Sequence, residues 1–562
     1  MNISSYVAML LVLGAVAPAC SAGSPGIDVH LFLAGPERLE VTYTLPPACA
    51  AVRLANPGIP SESARRMRAD WKALDACTAV SAEGIVPAAP GCSVLRIGVP
   101  VSTLFLDRVY PWAYPLGGGA VFTHTSAFAP DRTCGEVSWR LSSRHGDVVA
   151  DGRRVPSGPG GITGTAAFDY APVALFDRPA ATDADRLMHV DPRLSSATSA
   201  LARDAIAQTH GLYAEWFPGA VREARFTAVS AGPDDRFFRG DTAGGNFLRL
   251  AVPADADPAI HPALRGLVAH ELAHLQFQSK AFGAWAAERT LLSEGAAEMA
   301  RWLAQARLRW MDRNALRDDA SRAINACLVA TGGRRWQEVP GRHWGRIPYD
   351  CGLAFHLLAL AGGRGANSAS APARLGAAYR GDPEGDLAHA LECGADAGCR
   401  PRWLLRMMEG EPIAGMLQAF AAETGLLRPL AAWPQGAAHT LAQQAVGELM
   451  RQDCGGAVSL YHEGSQVRIG EISGCRVLRD GMVVIALQGV PLADGQRAVT
   501  SLIEACRDTS TVTLVLAGGR SVDMACDAGR LGLPTMLYEA DIDGLLARLG
   551  MDDGGADATP RQ

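Results

Sequence analysis

Val268-Ala269-His270-Glu271-Leu272-Ala273-His274-Leu275 sets two histidines four residues apart, with a glutamate directly after the first. Residues four apart on a helix project from the same side. His270 and His274 can therefore offer two imidazole nitrogens to one zinc ion. Glu271, one step round the turn, can reach a water held on that metal and take its proton. Hydrolysis by a metal-activated water is the chemistry this spacing suits.

A catalytic zinc takes three protein ligands and leaves its fourth place to water. The third is expected from Leu291-Leu292-Ser293-Glu294-Gly295-Ala296-Ala297-Glu298, a helix-like run beginning some twenty residues after His274. Glu294 is assigned as the ligand. Glu298, four residues on, faces the same way and can hold the free N–H of a ligand histidine. Read alone, Glu298 is equally a solvated helix carboxylate.

Around these residues, Leu264, Val268, Leu272 and Leu275 recur at helical spacing and predict an apolar helix face, with Pro262 suited to its first turn. Strand-like runs precede it at Ala224 to Val229 and Asn246 to Val252. Gly244, Gly245 and Asn246 open the second run, and a strand placed there can pair with a peptide backbone as a substrate-binding edge. A purely structural strand fits as well. Further on, Pro348-Tyr349-Asp350-Cys351-Gly352 begins another apolar helix. A phenol there can donate to the oxygen that gains charge when a peptide carbonyl is attacked, although Tyr349 out of context is simply a core tyrosine. His356 and His343 are rival proton donors.

With 562 residues the chain exceeds what one core supports and should divide into roughly three or four domains. Runs such as Val29 to Leu33, Leu39 to Leu45, Ser93 to Val99 and Ala120 to Thr125 make 23–180 a β-rich domain, with a helical exception near 61–77. His124, alone in one of those strands, reads as structural. Helical periods dominate 181–440, strands return over 441–550, and the polar tail 551–562 should be disordered. The fold class is multidomain α+β. A net charge of −6 without a Lys or Arg block argues against a nucleic-acid partner. Oligomeric state leaves no signature.

The apolar run Val7 to Val16, followed by Ala17-Pro18-Ala19-Cys20-Ser21-Ala22, reads as a secretory leader over 1–22. Two routes stay open: plain export to the periplasm or medium, or a lipoprotein anchored to a membrane at Cys20. Twelve of the 13 cysteines follow the leader, four before residue 140, four in the middle and four after 450. An even count in an exported chain predicts disulfides kept within those groups, and Cys393 and Cys399 can close a small loop.

Taken together, these segments resemble the glycyl-aminopeptidase family of exported bacterial metallopeptidases. That family is related to the aminopeptidase N family among the thermolysin-like zinc enzymes, or gluzincins. His270-Glu271-x-x-His274 and Ser293-Glu294-Gly295 match its two zinc segments, and Pro348-Tyr349-Asp350-Cys351-Gly352 is similar to its Tyr-x-Lys-Gly segment, with Cys351 in place of Lys. The resemblance implies a thermolysin-like catalytic domain over 181–440 with one Zn2+ per chain, and Tyr349 as the oxyanion donor. It also implies a PDZ-like domain over 441–550, where Leu478 to Pro491 carries Asp480-Gly481 and Gln488-Gly489 for the family's Gly-Asp and Asn-Gly turns.

One departure bears on specificity. In aminopeptidase relatives, a Gly-rich strand before the zinc helix carries a Glu that pairs with the substrate's α-amine. Gly244-Gly245-Asn246-Phe247 has no acidic residue, so Asp241 or another carboxylate would have to substitute. The expected function is an exported zinc metallopeptidase acting on peptide or protein substrates, as an aminopeptidase or an endopeptidase. The alternative is a catalytically inactive peptide-binding envelope protein acting through its PDZ-like domain. Glu271 speaks against it, because metal binding alone does not require that residue.

Overall fold

The computed structural model describes residues 26–47, 49–55, 61–81, 84–103, 112–150, 152–155, 162–164, 171–178, 187–217, 221–235, 237–243, 246–255, 257–277, 282–339, 341–343, 345–363, 370–380, 386–454 and 458–551. The expected leader with Cys20, the glycines at 244 and 245 and the tail from 552 lie outside them. The chain is a mixed α+β protein, β-rich at its N-terminal end and largely helical beyond. It divides into two compact units, Met1–Ala181 and Thr182–Gln562.

Alternating apolar residues build the first unit. Ile27–Gly35 pairs in parallel with Val137–Ser143 and antiparallel with Arg38–Thr44, which continues the six-stranded sheet through Val94–Pro100. A five-stranded sheet is centred on Pro172–Phe176. Val29, Leu31, Val41, Ile97 and Leu141 from the first sheet and Val121, Val173 and Leu175 from the second point into one core. Removing such side chains from water is the main term favouring this arrangement. The helical exception is short, Ser61–Arg68, and Lys72–Ala73 joins the sheet instead. His124 hydrogen-bonds Ser126 Oγ at 2.7 Å.

The second unit opens with a four-stranded sheet in the order Leu187–Val190, Phe226–Ala231, Phe247–Val252, Arg239–Ala243. The first three run parallel, and Arg239–Ala243 closes the edge by an antiparallel hairpin. Thus the run beginning at Asn246, expected as the exposed edge, is an interior strand. The edge is Arg239–Ala243, which carries little apolar alternation.

Four helices follow that matter for the chemistry: the histidine helix His261–Gln276, the glutamate helix Arg289–Arg307, the bridging helix Arg313–Thr331 and the tyrosine helix Ile347–Gly362. Leu264, Val268, Leu272 and Leu275 are all buried, as their period predicts. Asp312 caps the bridging helix by accepting from Ala315 N, and Gly332 ends it in the left-handed conformation. Trp302 Nε1 donates to the Leu316 carbonyl and locks the glutamate helix to the bridging helix.

The expected boundary at 440 falls inside one helix, Gln435–Asp453. Beyond it lies an antiparallel sheet in the order Val458–Glu463, Gln466–Ile472, Val483–Leu487, Thr511–Leu516, Ser521–Ala525, with helix Gly495–Thr509 against it. Gln488 and Gly489 both take positive φ, 52° and 75°, as a tight hairpin turn requires. The chain then returns: Tyr538–Ala540 pairs with Leu427–Pro429, and Asn325 of the bridging helix exchanges hydrogen bonds with the Tyr538 backbone.

All twelve cysteines from Cys49 onward are paired, as Cys49–Cys134, Cys77–Cys92, Cys327–Cys351, Cys393–Cys399, Cys454–Cys475 and Cys506–Cys526. Every pair stays within its group. Cys351 therefore ties the tyrosine helix to the bridging helix.

Candidate metal centre and its cleft

His270 and His274 leave the same side of the histidine helix, and Glu294 meets them from the glutamate helix. The two Nε2 atoms are 3.1 Å apart, and each is 3.3 Å from Glu294 Oε2. Around a zinc about 2.0–2.1 Å from each ligand, neighbouring corners of a tetrahedron stand roughly 3.3 Å apart. The three donors thus form one face of such a tetrahedron, and nitrogen with carboxylate oxygen is a donor set zinc accepts. Among the described residues one other group has the composition of a metal site, Asp453, Cys454 and Cys475. Its sulfurs are spent in a disulfide, and Asp453 accepts from the backbone N–H groups of Val477 and Leu478.

Behind the donors runs a chain of alternating charge. His270 Nδ1 lies 3.0 Å from Glu298 Oε1, and Glu298 Oε2 lies 2.7 Å from Arg301 Nη2. Arg301 reaches Asp319 at 2.8 Å, Asp319 reaches Arg322 at 2.7 Å, and Arg322 reaches Asp350 at 2.8 Å. Asp350 is the neighbour of Tyr349. The series therefore starts at a candidate ligand and ends beside the candidate oxyanion donor, crossing all four helices.

Tyr349 stacks on His270, with ring centroids 5.6 Å apart and planes 22° apart. Burial, with the charges of Glu294 and Glu271 nearby, pushes its phenol up, so it stays a proton donor. Glu271 is buried beside the edge strand. Burial lifts its carboxyl to about 7; His270 and His274 oppose that rise, while Asp241 and Glu294 add to it. Burial would also raise Glu294, but the two imidazoles hold it near 2. His270 is lifted to about 10 against its own burial, chiefly by Glu294 and Glu298. The carboxylates around the imidazoles call for positive charge between them, which a divalent cation supplies.

A cleft of about 650 Å³ opens over this cluster, lined by Gly240, Asp241 and Thr242 of the edge strand, by Glu271 and Tyr349, and by Arg289 and Ser293 of the glutamate helix. Gly240 is needed where it stands: a Cβ would fall 2.4 Å from Glu271 Cγ. Asp241 receives Arg249 in a two-point contact, at 2.9 and 2.6 Å, from the neighbouring strand.

The cleft brings together His270, Glu271, His274, Glu294 and Tyr349, with Glu298 directly behind His270. Asn246 sits in the turn that joins Arg239–Ala243 to Phe247–Val252 and is not among the lining residues. His356 is spent on structure. Its Nδ1 donates to the Gly352 carbonyl at 2.7 Å, its Nε2 lies 2.6 Å from Tyr379 Oη, and burial pushes it down to about 4. His343 has Glu288 3.9 Å from its Nδ1 and does not line the cleft. Asp241, named from the sequence as a carboxylate that could meet a substrate amine, does line the cleft; Gly240 and Thr242 were missed as cleft residues, and Arg289 altogether. One signal was available: Gly244-Gly245-Asn246 is the composition of a hairpin turn, which implies a strand on each side.

In shape, this chain is similar to an aminopeptidase N family protein from Idiomarina loihiensis, with a TM-score of 0.52 over 93% of this chain and 100% of that one, at 11% identity. The two share a fold. An M1 zinc metallopeptidase from Deinococcus radiodurans overlays with a TM-score of 0.35 at 16% identity, over 71% of this chain and 94% of that one. No family model and no curated protein matches the sequence.

Proposed function

We propose that this chain is an exported zinc-dependent peptidase in which His270, His274 and Glu294 hold the metal. The observation that carries this reading is the triangle of three donor atoms, 3.1 to 3.3 Å on a side, with Glu271 and Tyr349 on the same cleft. Zinc, when bound, polarises a scissile carbonyl and lowers the pKa of a coordinated water to roughly 7. Glu271 takes a proton from the attacking water and passes it to the departing amine. Tyr349 keeps its proton and donates a hydrogen bond to the carbonyl oxygen as charge grows there. Glu298 fixes the orientation of His270 through Nδ1.

The shared fold with an aminopeptidase N family protein supports this reading, and the histidine helix followed by the glutamate helix supports a thermolysin-like catalytic domain. The sheet and helix beyond residue 458 support a PDZ-like domain, although helix Gln435–Asp453 packs along Gly495–Thr509. Six disulfides support export, the lipid anchor at Cys20 being the variant form of that proposal. No observation favours the inactive peptide-binding alternative.

The test is metal content joined to a peptide screen. Purified protein should carry zinc near one per chain and hydrolyse peptides. It should lose activity to a chelator and regain it with zinc. A metal-free protein that binds peptides without cleaving them would reject the proposal.

A further inference from the structure

We propose that the cleft selects peptides by a carboxylate close to the scissile bond and that Arg289 is the residue that reads it. This deepens the peptidase reading and rests on it.

The carboxylates lining the cleft are already committed. Glu294 belongs to the metal triangle and Glu271 to proton transfer. Asp241, on the edge strand where a substrate backbone would lie, is matched by both nitrogens of Arg249, a side chain only 1% exposed. That contact cancels the charge an incoming ammonium group would seek.

Arg289 stands in the opposite condition. The glutamate helix carries three arginines, and two have carboxylate partners: Arg301 with Glu298 and Asp319, and Arg307 with Glu215 at 3.7 Å. Arg289 is exposed, lines the cleft, and its guanidinium has no hydrogen bond or ion pair among the described residues. Ser293, one turn on, and Glu294 line the same cleft as Arg289. Five residues of helix separate Arg289 from Glu294, about 7.5 Å along the axis. An extended peptide advances about 3.3 Å per residue. A carboxylate one or two residues from the scissile bond therefore comes within reach, and guanidinium with carboxylate is a strong, directional pair. An acidic side chain and a free C-terminus offer the same group.

The experiment uses the full chain loaded with zinc and two sets of short peptides with blocked N-termini. In one set the C-terminus is amidated and Glu is exchanged for Gln next to the cleavage point. In the other the peptide is neutral and ends as free acid or amide. Binding is read by calorimetry on the Glu271→Gln variant, and kcat/KM on the native chain. A preference of about tenfold for the carboxylate member of one set is expected. Arg289→Gln should erase it, Arg289→Lys should keep part of it, and Arg289→Glu should turn it towards a Lys-containing peptide. No preference in the native chain, or one unchanged in Arg289→Gln, would overturn the proposal. Absence of hydrolysis in every blocked peptide and in free-amine versions of both sets would instead reject the peptidase reading, while calorimetry still decides the role of Arg289.

Discussion

Gly295 and Gly352 touch backbone to backbone. A Cβ on Gly352 would fall 2.4 Å from Gly295 Cα, and one on Gly295 would fall 2.6 Å from Gly352 Cα. Glu294 precedes one glycine, and Tyr349 lies nearly one turn before the other. This close approach of the glutamate and tyrosine helices sets a candidate ligand beside a candidate oxyanion donor. Gly352→Ala should force the helices apart, cost about 1–3 kcal/mol of stability and weaken zinc binding. Thermal melts with chelator competition check this. A lower melting temperature with unchanged zinc affinity would restrict the contact to the fold.

Arg301 sits between two carboxylates that are themselves mostly buried. Arg301→Met would take a cation from each of them, leaving Asp319 to Arg322 and Glu298 held by His270 alone, at a cost of about 3 kcal/mol. Because Glu298 would then be free to turn from His270, zinc affinity should fall about 10- to 100-fold. Adding Glu298→Gln to that variant should recover stability but not affinity. Recovery of both would place the whole effect in packing.

Tyr349→Phe removes a hydroxyl and leaves the ring stacked on His270. If the phenol acts only as charge grows on the carbonyl oxygen, kcat should fall by about 10²–10³ with KM nearly unchanged. A rise in KM at constant kcat would make Tyr349 a substrate-binding residue.

Local periodicity made the centre of this site readable in advance. His270, Glu271 and His274 lie on one helical turn, their apolar partners repeat at helical spacing, and Glu294 and Tyr349 each stand in a compact motif. Of the edge strand only the composition of the adjoining turn was readable. Arg-Gly-Asp-Thr-Ala has no apolar alternation; it is a strand by its antiparallel pairing with Phe247–Val252, in which Asp241 comes opposite Arg249. The relay from Glu298 to Asp350 was equally hidden, since its partners lie on separate helices and charged residues on a helix look alike until packing selects which meet. The cysteine pairs were readable as groups but not as partners, because connectivity depends on which helices and strands come together.

Glu271→Gln tests the central claim most directly, because it keeps the shape of the side chain and removes only its capacity to take a proton. Zinc should remain near one per chain while kcat drops by roughly 10²–10⁴. Full turnover by a zinc-loaded Glu271→Gln chain would contradict the account.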